Sequence, residues 1–289
     1  MAETFSHSRL SSFEDCPKKY EFRYIRKIKR DVESIEAFVG KRVHEVLERL
    51  YKAVGRGHVP TLPQVLQRYG ALFDDNFDAD RVRIVRTETP VEEYRANGER
   101  GLSNYYRKFY PFDADETLGL EERISFVLDP DGLYRILGFV DRISRARDGA
   151  IEVHDYKTGR WVPKQDALDA DRQLAFYQIA VNERFGHDQT VRLVWHYVTR
   201  NQTRKSSRTP EQLDTLRSET IDLIERIHTT EVFEPRTSNL CDWCEYNDIC
   251  PAIVGEAQAA AALAEANPKT ATDGEEFDPA ATSGQLPLL

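Results

Sequence analysis

The chain has 289 residues, a formal net charge of −9, and 40% apolar and 31% charged residues. That size and balance suit a soluble globular protein with one large core, or one core with a helical addition. No run is long and apolar enough to span a bilayer, and the N-terminus lacks a basic segment leading into an apolar one, so a cytoplasmic protein is expected.

In chain order, residues 8–17 read as a short helix start and turn, which Ser8 or Ser11 can cap. A helix carrying Tyr20 to Tyr24 follows. Between Lys18 and Arg30 stand seven basic residues and one acid, Glu21. With Tyr20, Phe22 and Tyr24 interleaved, this stretch offers a face for a phosphate backbone, although a solvated helix face is the plainer reading. Residues 35–53 predict a longer helix, because Phe38, Val43, Val46, Leu47 and Leu50 recur near a 3.6-residue period. His44 and Glu48 share one of its faces. From residue 62 to about 110 the pattern stays helical and describes an inserted annex.

Strand signals follow. Leu118–Leu128 and Tyr134–Ile143 flank the turn residues Asp129-Pro130-Asp131-Gly132, and Ile151–Lys157 is a third strand. A helix over 170–185, a strand over Val191–Val198 and a helix from Pro210 to about His228 complete the pattern, with Thr209 as N-cap. The expected fold class is α/β (α+β), a small mixed sheet with helices against it. Ala257–Ala266 can extend a helix. From Asn267 onward there is too little apolar content to pack, and disorder is expected. From Glu256 to the C-terminus there are six acids and one lysine.

Asp141 and Asp155 end up on adjacent strands, and carboxylates suit Mg²⁺ or Mn²⁺. Such an ion can acidify and orient a water and neutralise charge on a phosphate. Lys157 lies two residues beyond Asp155, on the same strand face, where its ammonium can stabilise the transition state. Tyr156 points the other way and leaves its carbonyl for the metal. His44 can add a ligand if its helix crosses the sheet. Glu121 is a further candidate, but its neighbour Glu122 leaves strand parity open. Gln173 and Tyr177, one helical turn apart, can point together at a phosphate or base. No phosphate-cradling Gly-rich loop ending in Lys-Ser/Thr appears, so no ATPase motor is expected. The four cysteines are Cys16, Cys241, Cys244 and Cys250. Three lie close together, and metal ligation is a better reading than a disulfide, with iron–sulfur and zinc both open.

The ordered set Ser8-x-Leu10-x-x-Phe13-x-x-Cys16-Pro17-x-x-Tyr20, Gly40-x-x-x-His44-x-x-Leu47-Glu48, Gly138-Phe139-Val140-Asp141-Arg142, Asp155-Tyr156-Lys157-Thr158-Gly159 and Gln173-Leu174-x-x-Tyr177 resembles the RecB-like branch of the PD-(D/E)XK nuclease superfamily. The resemblance implies a restriction-endonuclease-like core over residues 1–255, including the annex (about 58–112) and the cysteine segment 241–251, followed by an acidic disordered tail, 256–289. It implies His44, Asp141, Asp155 and the Tyr156 carbonyl as metal ligands, Lys157 as the catalytic lysine, and Gln173 and Tyr177 as residues that help hold DNA. The cysteines are similar to those of AddB and the CRISPR adaptation nucleases. By that resemblance Cys16, Cys241, Cys244 and Cys250 would hold a [4Fe-4S] cluster stapling the two ends of the domain, with structural Zn²⁺ as the alternative.

The implied activity is a Mg²⁺- or Mn²⁺-dependent DNA exonuclease acting on single-stranded or end-frayed DNA in repair or recombination. The alternatives are a structure-specific endonuclease and a non-catalytic DNA-end-binding subunit. Gln285-Leu286-Pro287-Leu288-Leu289 resembles the short motif by which bacterial replication and repair proteins bind the sliding clamp.

Overall fold

The computed structural model describes residues 2–266. Its centre is a six-stranded sheet of strands β1 (Glu3–Phe5), β2 (Asp115–Val127), β3 (Tyr134–Ala146), β4 (Ile151–Lys157), β5 (Val191–Tyr197) and β6 (Gln202–Ser206). The order is β1–β3–β4–β5–β6, with β2 also paired to β3. β2 runs antiparallel along one edge of β3, from Asp115↔Ala146 to Val127↔Arg135. The other edge of β3 is shared. Tyr134–Ile136 pair with β1, and Arg142–Arg145 pair with β4. β4 and β5 are parallel, while β3–β4 and β5–β6 are antiparallel, so the sheet is mixed as the sequence predicts.

Pairing of β3 with β4 stops at Arg142↔His154, and residues 137–141 pair with neither β1 nor β4. The sheet therefore splits at Gly138–Asp141. A split leaves backbone groups to be satisfied by side chains. Here Tyr156 N–H donates to Asp141 Oδ2 at 2.8 Å.

Helix α1 (His7–Asp15) lies beside the sheet, and the long helix α2 (Ile35–Val54) starts where Ser34 Oγ accepts from Ala37 N–H at 3.2 Å. α2 buries Ile35, Phe38, Val39, Val43, Val46, Leu47 and Leu50 against α3 (Leu62–Asn76) and α4 (Val91–Phe109). This second apolar cluster also takes in Tyr156 and Val198, so the helical segment packs directly onto the sheet at β4 and the turn after β5. α5 (Arg172–Phe185) and α6 (Pro210–Thr229) cover the sheet with a separate core, which includes Ile143, Val153, Leu174, Phe176 and Leu193. α6 begins as the sequence predicts, with Thr209 Oγ1 accepting from Gln212 N–H at 3.3 Å. Strands β1 and β6, three and five residues long, lie outside the sequence expectation. They are too short for an alternating pattern, and pairing with β3 and β5 holds them in place.

The expected iron–sulfur staple is not present. Among the described residues, the groups of His, Cys, Asp or Glu ligand atoms that converge within 4.8 Å are His44–Glu121–Asp141 and Asp115–Glu152–His154, and neither contains a cysteine. Cys16, Cys241, Cys244 and Cys250 are free and half-buried. Cys16 Sγ accepts from Arg236 N–H at 3.4 Å and Cys241 Sγ from Ser238 N–H at 3.3 Å. Burial, reinforced by Glu245, pushes the Cys244 thiol up to about 11, which keeps it protonated. The [4Fe-4S] cluster and its Zn²⁺ alternative, and with them the AddB-like part of the resemblance, are therefore corrected.

The first thirty residues and the cysteine segment meet by other means. Phe22 and Ile28 pack with Tyr246 and Ile249, and Tyr246 Oη donates to Ile28 O at 2.9 Å. Glu245 pairs with Lys19 and Arg23, and Asp248 with Arg30. With Lys18 and Arg26 on Glu21, protein carboxylates thus meet most of the cations of the basic stretch. Residues Glu256–Ala266 form a helix where the acidic tail was expected to begin. The remainder of that tail and the pentapeptide Gln285–Leu289 lie outside the described residues.

Candidate active site

The candidate site sits at the split in the sheet, where α2, β2, β3 and β4 converge. Gly40 sets the approach of α2. A methyl group there would lie 3.2 Å from Thr158 Oγ1, so the missing side chain lets the helix close on the end of β4. One turn later His44 Nε2 lies 2.7 Å from Tyr156 O, and its Nδ1 lies 3.4 Å from Asp141 Oδ1. His44 therefore bridges the two strands. Tyr156 turns its ring away from Asp155 into the helical cluster, edge-on to Tyr105.

The third member of the group is Glu121, whose carboxylate comes within 4.8 Å of the His44 and Asp141 ligand atoms. Its parity, open in the sequence, is decided by an irregularity in β2. The register with β3 shifts between Thr117 and Gly119 and then pairs Leu120↔Arg142 and Glu122↔Val140. Glu121 is thereby set opposite Asp141, with a left-handed φ of 47°. A left-handed conformation costs a non-glycine residue about 1–2 kcal/mol, and such strain gathers at functional sites. Glu122 points to the other face and accepts from Arg184 Nη1 at 3.3 Å.

Beside this group, Lys157 Nζ lies 2.7 Å from Asp155 Oδ2 and 3.0 Å from Oδ1. It also donates to Gln173 Oε1 at 3.2 Å, and Gln173 Nε2 donates to Tyr177 Oη at 3.1 Å. α5 thus reaches the strand through a short chain of polar contacts. Asp171 caps this helix by accepting from Leu174 N–H at 3.0 Å. Tyr177 is buried, and a methyl group at Gly138 would come 2.7 Å from its ring. The glycine in Gly138-x-x-Asp141 is thus required by the close approach of Tyr177 to β3.

Electrostatics distinguish the members of the site. Burial disfavours a charged His44, yet Asp141, backed by Glu121 and Asp155, outweighs it and raises the imidazole to about 9. Burial and Asp141 raise the Glu121 carboxyl to about 7, with His44 pulling it back. Burial also raises Asp155, against the opposing pull of Lys157. The site concentrates negative charge and uses a protonated histidine to offset it.

That donor set fits a divalent cation: one imidazole and two carboxylates that already converge, with a proton on His44 to be released on binding. The expected ligands His44 and Asp141 are together. Asp155 lies outside the converging group, paired with Lys157, and the Tyr156 carbonyl faces His44.

Among solved structures, that of SSO0001 aligns with a TM-score of 0.40 and 17% identity over 87% of each chain. Comparison with curated proteins returns no match. The family model of the PD-(D/E)XK nuclease superfamily matches residues 4–251. That span contains every element of the site, and the chain belongs to the PD-(D/E)XK nuclease superfamily.

Proposed function

We propose that this protein is a Mg²⁺- or Mn²⁺-dependent DNA exonuclease that hydrolyses phosphodiester bonds, preferentially in single-stranded or end-frayed DNA. The observation that carries the reading is the adjacency of two arrays: His44, Glu121 and Asp141 converging within 4.8 Å, and Lys157 held by Asp155 and Gln173. When bound, the divalent ion would neutralise phosphate charge and make its water a better nucleophile. His44, Asp141 and Glu121 hold it, with Asp155 and the Tyr156 carbonyl completing its surroundings. Lys157 meets the charge that builds on the phosphate oxygens. Gln173 and Tyr177 serve the DNA by fixing the position of that ammonium. Residues 1–255 act as one nuclease unit, with the helices of the annex supplying His44's support.

A cytoplasmic location goes with this substrate, and no helix of the described residues is long and apolar enough to cross a membrane. Sliding-clamp binding by Gln285–Leu289 is a separate part of the proposal, and a chain ending at Gly284 with unchanged clamp affinity would remove it.

Lys157→Ala tests the reading. It should leave the melting temperature within a few degrees of wild type and lower Mn²⁺-supported cleavage by about 10²–10³-fold, the usual loss for one electrostatic donor. Undiminished cleavage would refute it. Circular single-stranded DNA offered beside 5′- and 3′-labelled linear strands then separates exonuclease from endonuclease, since cutting of the circle excludes a strict exonuclease.

A further inference from the structure

Trp161 stands four residues beyond Lys157, on the loop that leaves β4, and it is 56% exposed. Its neighbours are anchored. Thr199 Oγ1 donates to Gly159 O at 3.2 Å, and Arg200 Nε donates to Arg160 O at 2.6 Å. On the far side, Val162 packs against the sheet core. With both flanks tied down, the loop presents the indole to solvent on a fixed backbone. An outward tryptophan forgoes a large hydrophobic gain, about 1.5–3 kcal/mol for a big apolar side chain.

The surroundings say what would cover it. Cations flank it in sequence and on the neighbouring helix: Arg160 directly precedes Trp161, Lys164 follows three residues later, and Lys41 follows Gly40, where an added methyl would lie 3.2 Å from Thr158 Oγ1. Lys41 and Lys164 are exposed, and the half-exposed Arg160 makes only a 3.4 Å pair with the equally exposed Glu93. An exposed aromatic plane next to Arg160 on a basic loop, within about 14 Å of extended chain from Lys157, matches a nucleobase and its flanking phosphates.

We propose that Trp161 is a stacking platform for a base of the single strand whose phosphate lies at Lys157. This rests on the nuclease reading and adds to it a residue that sets the preference for unpaired DNA, because only an unpaired base exposes its face to the indole. Stacking is indifferent to base identity, so the platform grips any sequence.

The test separates binding from cleavage. In a Lys157→Ala background, fluorescence anisotropy measures affinity for a 20-nucleotide oligo-dT strand and for a blunt hairpin duplex. Adding Trp161→Ala should weaken oligo-dT binding by about tenfold and leave the duplex within about twofold, while Trp161→Phe should recover most of the loss. Oligo-dT should also quench tryptophan emission, and Trp161→Phe should remove most of that quenching. In the otherwise wild-type chain, Trp161→Ala should raise KM with kcat little changed. Unchanged oligo-dT affinity in both Trp161 variants overturns the proposal, as does an equal loss on strand and duplex. A wild-type chain that never cleaves would instead overturn the nuclease reading, which the anisotropy arms do not depend on.

Discussion

Two groups in this molecule have the same composition, one histidine and two acids, and both draw an acid from β2. His44–Glu121–Asp141 stands at the split between β3 and β4, and Asp115–Glu152–His154 lies where those strands are paired. The second group comes with its own cations. Arg142 grips Asp115 through two bonds of 2.8 and 3.0 Å and donates to His154 Nε2 at 3.0 Å, while Lys205 Nζ lies 2.7 Å from Glu152. His154 Nδ1 then meets His196 Nε2 at 2.9 Å. With Nε2 accepting, the histidine pair is neutral, and burial followed by Arg142 drives both imidazoles well below their usual range. Among the described residues, the first group has only His44 as a direct positive partner for Asp141. Composition therefore does not find a cation site. A cation site is an acidic group that the protein has left without a guanidinium or ammonium of its own.

The largest difference should appear when one acid is neutralised in each group. Asp141→Asn should lower metal-supported cleavage by at least about 10²–10³-fold with little loss of stability, since an amide oxygen can still accept from Tyr156 N–H. Asp115→Ala should do the reverse. By leaving buried Arg142 uncompensated it should cost about 3–5 kcal/mol in urea unfolding, while the fraction that stays folded cleaves normally. If Asp115→Ala abolishes cleavage at full stability, the contrast between the groups is wrong.

Acid should next act through the buried histidine pair. Each has a folded pKa below its unfolded value of about 6.5, so the unfolded state binds more protons below that pH, and the stability present above it is lost as pH falls. From about pH 7.5 to about pH 5.5 the expected loss is about 1.4 kcal/mol per histidine, read from urea midpoints, and His196→Gln should shrink it. The smallest effect is expected at Glu121, the most exposed residue of the first group although its carboxyl is turned in toward Asp141. Glu121→Gln should raise the Mn²⁺ concentration for half-maximal cleavage by about tenfold and leave maximal cleavage largely intact. No shift at all would reduce the group to His44 and Asp141.

Much of this arrangement was legible in the chain itself. Asp141, Asp155 and Lys157 could be placed together from strand periodicity and a turn between them, whereas His44, a candidate only if its helix crossed the sheet, was assigned as a ligand through the family resemblance. Glu121 was not separable from Glu122, because two adjacent acids leave strand parity open until the register with β3 sets Glu121 opposite Asp141. Cys16, Cys241, Cys244 and Cys250 show the opposite failure. Their spacing suggested a cluster, but spacing records only what a short segment can reach. The segment around Cys244 is held by Tyr246, Ile249 and Glu245, and the sulfurs take other partners.

By itself, then, the sequence determined the mixed sheet with its helices, because these rest on local periodicity and short spacings, and the superfamily through its ordered motifs, which lie within the matched residues 4–251. The tertiary structure alone decided which acids converge, which cations are already taken, and how the first thirty residues and the cysteine segment are joined. Those depend on long-range packing: Gly40 against Thr158, Gly138 against Tyr177, and β3 dividing its edge between β1 and β4. Charge is neutralised through space, and no pattern along one strand reveals which arginine or lysine will arrive from elsewhere.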